Sequence, residues 1–144
     1  MNFERVPRKV TLEDVYGAPE AARTLYDLMK EREPQATAMP TFEQHVKYQA
    51  TKPYAAWYLI VDESDVYKTP PICVGAIHLT KQREVGLFIF KEHQAKGYGT
   101  AALAKLKAQF PVKILANLAP GNKASQAFFR KAGFRHIHET YELS

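Results

Sequence analysis

The sequence predicts an α/β fold in which a mixed central β-sheet is flanked by helices, in the order β-α-α-β-β-β-α-β-α-β. Three observations predict it. Four stretches read as helices, from apolar residues at helical spacing or from capping residues at their ends. Three runs rich in aromatic and branched residues, separated by turn residues, occupy the middle of the chain. A strand, a helix and a further short strand then follow one another, the pattern of a crossover between parallel strands.

Arg8 to Leu12 reads as a short first strand, and Pro19 to Arg32 as a helix. Pro19 suits a helix start, and Ala22, Leu25, Leu28 and Met29 form an apolar stripe. Pro34 and Pro40 bracket a loop, and Thr41-Phe42-Glu43-Gln44 has the form of a capping box, so a second helix runs from there to about Ala50. Tyr54 to Val61 and Ile72 to Leu79 read as strands, with the polar, proline-containing Asp62 to Pro71 as a loop between them. Gly75 marks a bulge or a close approach. Gln82-Arg83 turns the chain into a third strand, Glu84 to Phe90, making a hairpin. Ala95 to Phe110 is helical, with Leu103, Leu106 and Phe110 on one face. Val112 to Asn117 is a short strand, and Lys123 to Lys131 is a helix ended by Gly133. Phe134 to Leu143 is the final strand.

A chain of 144 residues is expected to form a single domain, residues 1–144, with one sizeable core. No apolar run approaches the roughly 20 residues of a membrane span. Residues Met1 to Val10 are charged and lack the apolar core of a secretory signal. The lone cysteine, Cys73, sits in an apolar run; it reads as a small buried hydrophobe and fits a cytoplasmic location. The net charge of +5 suits either a nucleic-acid surface or a polyanionic co-substrate. Its basic residues are scattered among acidic ones rather than gathered in a stripe, which argues against nucleic acid.

Gln94-Ala95-Lys96-Gly97-Tyr98-Gly99-Thr100 stands between a strand and a helix. The first turn of a helix has unpaired backbone N–H groups and a dipole that favours an anion. Gly97 and Gly99 leave room for phosphate against the backbone and permit left-handed conformations. Lys96 adds positive charge and Thr100 a hydroxyl. The order differs from a Walker A loop and from a dinucleotide-binding fingerprint. Taken alone, the segment reads as a strand-to-helix turn or as an anion site.

Gln94-Ala95-Lys96-Gly97-Tyr98-Gly99 resembles the Q/R-x-x-G-x-G/A signature of the GNAT acetyltransferase superfamily. Glu84 to Ile89 resembles that family's fourth strand. Asn117 to Ser125 and Phe128 to Phe134 resemble its second block, at a fitting distance. The clear resemblance covers about residues 72 to 135. It implies the GNAT fold and transfer of an acyl group, usually acetyl, from acetyl-CoA to an amine that attacks the thioester directly. By position, the backbone of Gln94 to Thr100 would bind the pyrophosphate. Leu87 and Ile89 would pair with the pantetheine arm, and an N–H near Leu87 or Phe88 would bond the thioester oxygen. Asn122 and Ser125 would reach the cofactor from the last helix.

An alkylammonium must lose a proton before it attacks. The resemblance offers Glu84, early in its strand, as the base; His78 on the neighbouring strand is second, and each is equally readable as a structural residue. The family's usual thiolate-protonating tyrosine is replaced by Phe129, with Tyr141 the remaining hydroxyl considered for that task. Tyr54, Trp57 and Tyr58 read as core packing or as a substrate wall. His45 and Tyr48 are candidates to touch the acceptor. His136 and His138 share a strand face without an evident third ligand, so no metal site is assigned. The expected function is an acetyl-CoA-dependent N-acetyltransferase acting on a small primary amine, an aminosugar among the options. The alternatives are a non-catalytic acyl-CoA sensor and a protein or peptide N-acetyltransferase. The oligomeric state stays open, a homodimer included.

Overall fold

The computed structural model describes residues 9–32, 39–63 and 71–144. Strands β1 (Val10–Asp14), β2 (Ala56–Asp62), β3 (Ile72–Leu79) and β4 (Val85–Ile89) form one sheet in the order β1-β2-β3-β4, each pair antiparallel. Helices α1 (Ala21–Arg32) and α2 (Phe42–Ala50) lie between β1 and β2 in sequence, and α3 (Tyr98–Gln109) and α4 (Lys123–Lys131) follow β4. The predicted β3 and α4 coincide with the observed ones, and β1 runs two residues later than expected, Arg8 lying outside the described residues. The loops predicted after Pro34 and after Asp62 fall largely outside them as well.

Alternation along the strands builds two cores. Ala56 and Ile60 of β2 point with Val74, Ile77 and Leu79 of β3 toward Tyr98, Ala102 and Leu106 of α3. Trp57, Leu59 and Val61 point with Ala76 toward Ala21, Leu25 and Leu28 of α1. The sheet is therefore covered by α1 on one face and α3 on the other, the layered packing expected when each element has one apolar face. Tyr58 belongs with the α3 face, where its hydroxyl bonds Gln109 at 2.7 Å. It does not join Trp57, because neighbouring strand residues point to opposite faces.

The β2–β3 ladder passes over Val74: Ile60 pairs with Gly75 and Val61 with Cys73. A Cβ at Gly75 would overlap the Phe88 carbonyl oxygen, so both readings of that glycine hold. Cys73 is partly buried and burial pushes its thiol pKa up, the behaviour of a packing residue rather than of a thiolate nucleophile.

α2 begins as predicted. The Thr41 hydroxyl accepts from the Gln44 N–H at 3.1 Å, and the Gln44 side chain accepts from the Thr41 N–H at 2.9 Å. Thr41→Ala removes half of this box and is expected to cost about 1 kcal/mol, read as a lowered denaturation midpoint with an unchanged slope.

Two predicted strands are not ladders. Of Val112 to Asn117 only Leu115 bonds to the hairpin strand: its N–H donates to the Arg83 carbonyl and its carbonyl accepts from the Val85 N–H, both at 2.8 Å. This parallel bridge is the mixed element of the sheet. The chain then departs toward the turn at Pro120 and Gly121 instead of following β4. Phe134 to Leu143 forms no strand. Only Phe134 is anchored, its ring 5.0 Å from that of Phe129; Ile137, Tyr141 and Leu143 are exposed. No described strand pairs with that segment.

Candidate active site

β4 is the last strand of the ladder and its outer edge is open beyond the Leu115 bridge. The direction of its polar groups follows from two bonds. The Phe90 N–H donates to Val74 of β3, whereas the Val85 N–H donates outward to Leu115. Alternation then turns Leu87 and Ile89 outward and Gly86 and Phe88 toward β3. Of the two amides proposed for a thioester oxygen, Leu87 thus faces the open edge and Phe88 is spent on the sheet. The Ile89 carbonyl accepts from the Gln94 side chain at 3.1 Å. Gln94 therefore ties the loop back to the strand end in addition to opening the motif.

The loop turns through two left-handed residues, Ala95 at φ 61° and Gly97 at φ 87°. Alternating signs of this kind gather successive N–H groups into an anion-binding concavity. Gly97 is the N-cap of α3 and supplies no capping side chain to its first turn. A Cβ at Gly97 would meet nothing within 4 Å. Gly99 has another purpose. It sits within α3, where a Cβ would come 3.2 Å from the Phe128 ring and 3.3 Å from Leu87. It permits close packing of α3 on α4 and β4, not a left-handed turn. Tyr98 turns inward, and its hydroxyl donates to the Asp62 carboxylate, so among the loop residues it is an anchor. Lys96 and Thr100 are exposed beside the turn.

Asn122 caps α4, accepting from the Ser125 N–H at 3.1 Å, so its carbonyl oxygen is already engaged. Phe129 is buried between the rings of Phe128 and Phe134, each 5.0 Å away. Tyr141 is exposed and its hydroxyl donates to Glu139 at 2.6 Å, a bond that raises its pKa. His136 contacts the His138 carbonyl oxygen at 2.8 Å and Glu139 at 3.8 Å. Among the described residues no group of three or more metal-ligating side chains converges.

On the α1 face of β4 a cleft of about 120 Å³ reaches Gly86, Leu87 and Phe88. Its walls are Leu25, Leu28 and Met29 of α1, Tyr48 of α2, Tyr54, Trp57, Ala76 and His78. His78 is held by shape. Its imidazole stacks on Tyr54, with ring centroids 3.9 Å apart and planes 13° apart. On its other side a Cβ at Gly86 would overlap the ring. Tyr54 is fixed in turn: the Tyr16 hydroxyl donates to its carbonyl at 3.2 Å and accepts from its N–H at 3.1 Å. Burial pushes the Tyr16 pKa up, which keeps that hydroxyl protonated as donor. The strand glycine before Leu87 was the sequence signal for this seat, since an interior strand glycine often marks close approach.

Glu84 lies at the mouth of the hairpin, its N–H bonded to the Thr80 hydroxyl at 3.0 Å, and it does not line the cleft. Of the two acceptor-contact candidates, Tyr48 lines the cleft and His45 does not. His45 is buried, its ring 5.6 Å from Tyr26 and 6.4 Å from Trp57, and Nε2 has no partner. Burial lowers its pKa, a backbone bond at Ala22 opposing the shift. The unfolded chain therefore takes up a proton first as pH falls below about 6.5. Stability is full above that pH and is lost as pH falls toward the lower folded value. The melting temperature is expected to drop between roughly pH 7 and pH 5, with a shallower drop in His45→Phe. Equal drops in both proteins would remove His45 as the cause.

Residues 8–135 match the model of the acetyltransferase (GNAT) domain family. No curated protein sequence matches significantly. Among solved structures, a domain from Methanocaldococcus jannaschii superposes with a TM-score of 0.74 at 14% identity, covering 94% of each chain. A spermidine N-acetyltransferase SpeG chimera from Vibrio cholerae gives 0.69 at 18% identity, covering 90% of this chain and 82% of its own. An aminoglycoside N-acetyltransferase, AAC(6')-Iy, in complex with CoA gives 0.67 at 11% identity over 96% and 95%. At these identities the likeness is one of fold.

Proposed function

The chain belongs to the GNAT acetyltransferase family, and from that premise we propose that it transfers an acetyl group from acetyl-CoA to the primary amine of a small molecule. The observation that carries the reading is the adjacency of three features on β4. The strand's open edge presents Leu87, its end leads to the left-handed turn at Ala95 and Gly97, and its inner face meets the cleft. Pyrophosphate fits the turn, where the N-terminus of α3 favours an anion and space is open at Gly97. The pantetheine arm fits the open edge as an added strand. The Leu87 N–H then faces the thioester oxygen and stabilises charge that develops there.

The acceptor enters from the cleft. His78 is the base this reading favours, because it lines the cleft and is clamped by Tyr54 and Gly86. It takes the proton of the ammonium, the neutral nitrogen forms the bond to the carbonyl carbon, and the bond to sulfur breaks. Phe129 has no proton to give, so the proton that the acylated nitrogen sheds passes through water to the departing thiolate. His78→Gln is expected to lower kcat about 100-fold with little change in CoA affinity. Glu84→Gln is expected to lower it less. The reverse order, measured by thiol release and by CoA titration, would return the role to Glu84.

Phe129 also favours a second reading, an acyl-CoA sensor that binds without turnover. Thiol release on adding amines to the protein and acetyl-CoA supports the enzyme; saturable CoA binding with no release from any amine supports the sensor. A cytoplasmic setting, a single domain and a small-molecule rather than peptide acceptor complete the proposal.

A further inference from the structure

Building on that reading of the cleft as the acceptor site, we propose that the acceptor is a primary amine carried on a compact apolar or aromatic body, an arylalkylamine in its simplest form, rather than an aminosugar or a polyamine. The wall chemistry carries this. Leu25, Leu28 and Met29 form one side and the rings of Tyr48, Tyr54 and Trp57 another. Among the described lining residues there is no carboxylate, lysine or arginine, and the side chains with polar atoms are Tyr48, Tyr54, Trp57 and His78. A polyamine entering such a cleft would desolvate several ammonium groups without an anionic partner. The net charge of +5 would also slow its approach. An aminosugar would bury a ring of hydroxyls against aliphatic side chains with few groups to satisfy them.

An arylalkylamine meets neither penalty. Its ring can pack edge-on or offset against Trp57, which already receives Tyr54 edge-on at 4.8 Å and Tyr48 at 6.4 Å. Its single ammonium is the group that must be desolvated and deprotonated for reaction, and His78 is the polar side chain at the end of the cleft beside β4. Before deprotonation the aromatic faces also favour one compact cation.

Trp57 is the only tryptophan of the chain, so its fluorescence reports occupancy of the cleft without reference to turnover. The experiment titrates the full chain, with CoA present, with phenethylamine, glucosamine and spermidine, and measures thiol release from acetyl-CoA for each. The expected result is a Trp57 signal that saturates at a concentration at least ~10-fold lower for phenethylamine, with kcat/KM higher by a similar factor. Tyr48→Ala, at a half-exposed position, is expected to raise the phenethylamine KM about 10-fold while CoA affinity stays unchanged. Tighter binding or faster release with glucosamine or spermidine overturns the inference and leaves acyl transfer standing. A Trp57 signal led by phenethylamine without any thiol release leaves the acceptor class standing and overturns acyl transfer. No Trp57 signal from phenethylamine overturns the inference.

Discussion

Gly97→Glu is expected to abolish measurable acetyl-CoA binding in a protein that still folds. Two properties of position 97 give this result. The residue has φ 87°, which an L side chain adopts at a cost of about 1–2 kcal/mol, and a Cβ there meets nothing within 4 Å. The substitution therefore strains the turn modestly and displaces no neighbour. The new carboxylate, however, stands at the N-terminus of α3, over amides that this account assigns to pyrophosphate. It occupies the anion's place and repels it. Gly97→Asn separates the contributions, because asparagine tolerates the left-handed region and brings no charge. Circular dichroism and calorimetry check both variants. A folded Gly97→Glu with unchanged affinity would remove the loop from the binding site.

Gly86→Ala is expected to lower kcat about 100-fold, a loss resembling that of His78→Gln. The added methyl group would overlap the imidazole, which Tyr54 blocks on its other face at 3.9 Å, so the ring has to leave its position. Gly86 touches the reaction only through His78 and is a positioning residue. The double variant checks this. If both changes act on one imidazole, Gly86→Ala should cost little more in a His78→Gln background. Full additivity would mean that the methyl group harms catalysis by another route, and a wild-type rate in Gly86→Ala would dismiss the seat altogether. The pH profile offers a separate reading: a histidine base gives kcat an acidic limb, which Gly86→Ala should displace or flatten.

The parts of the fold that were legible in the sequence are those set by local chemistry. β3 was bounded by Pro71 and the Gln82–Arg83 turn, α4 by Asn122 and Gly133, and the start of α2 by the reciprocal bonds of Thr41 and Gln44. Elements that depend on a distant partner were not. Phe134 to Leu143 has strand composition, yet a strand exists only where another strand pairs with it, and none of the described strands does. The core-packing reading of Trp57 and Tyr58 holds, with each residue in a different core, since a period of two puts adjacent residues on opposite faces.

The candidate site divides in the same way. The turn at Gly97 was visible because glycine spacing is a local signal, and its left-handed geometry agrees. Gly99 looked equivalent in sequence but answers to Phe128, a contact across two helices that spacing does not encode. Ala95 shares the left-handed turn without being a glycine. The seat of His78 needs Tyr54, Gly86 and Tyr16 at once, from three other segments, and only the folded chain brings them together.

Acyl transfer from CoA is tested most directly by titrating the protein with acetyl-CoA in a calorimeter and then adding primary amines to the same sample while thiol release is followed. Saturable binding that weakens as salt is raised is expected, followed by release of free thiol that depends on the amine and on protein concentration. An absence of binding would contradict the account at its centre.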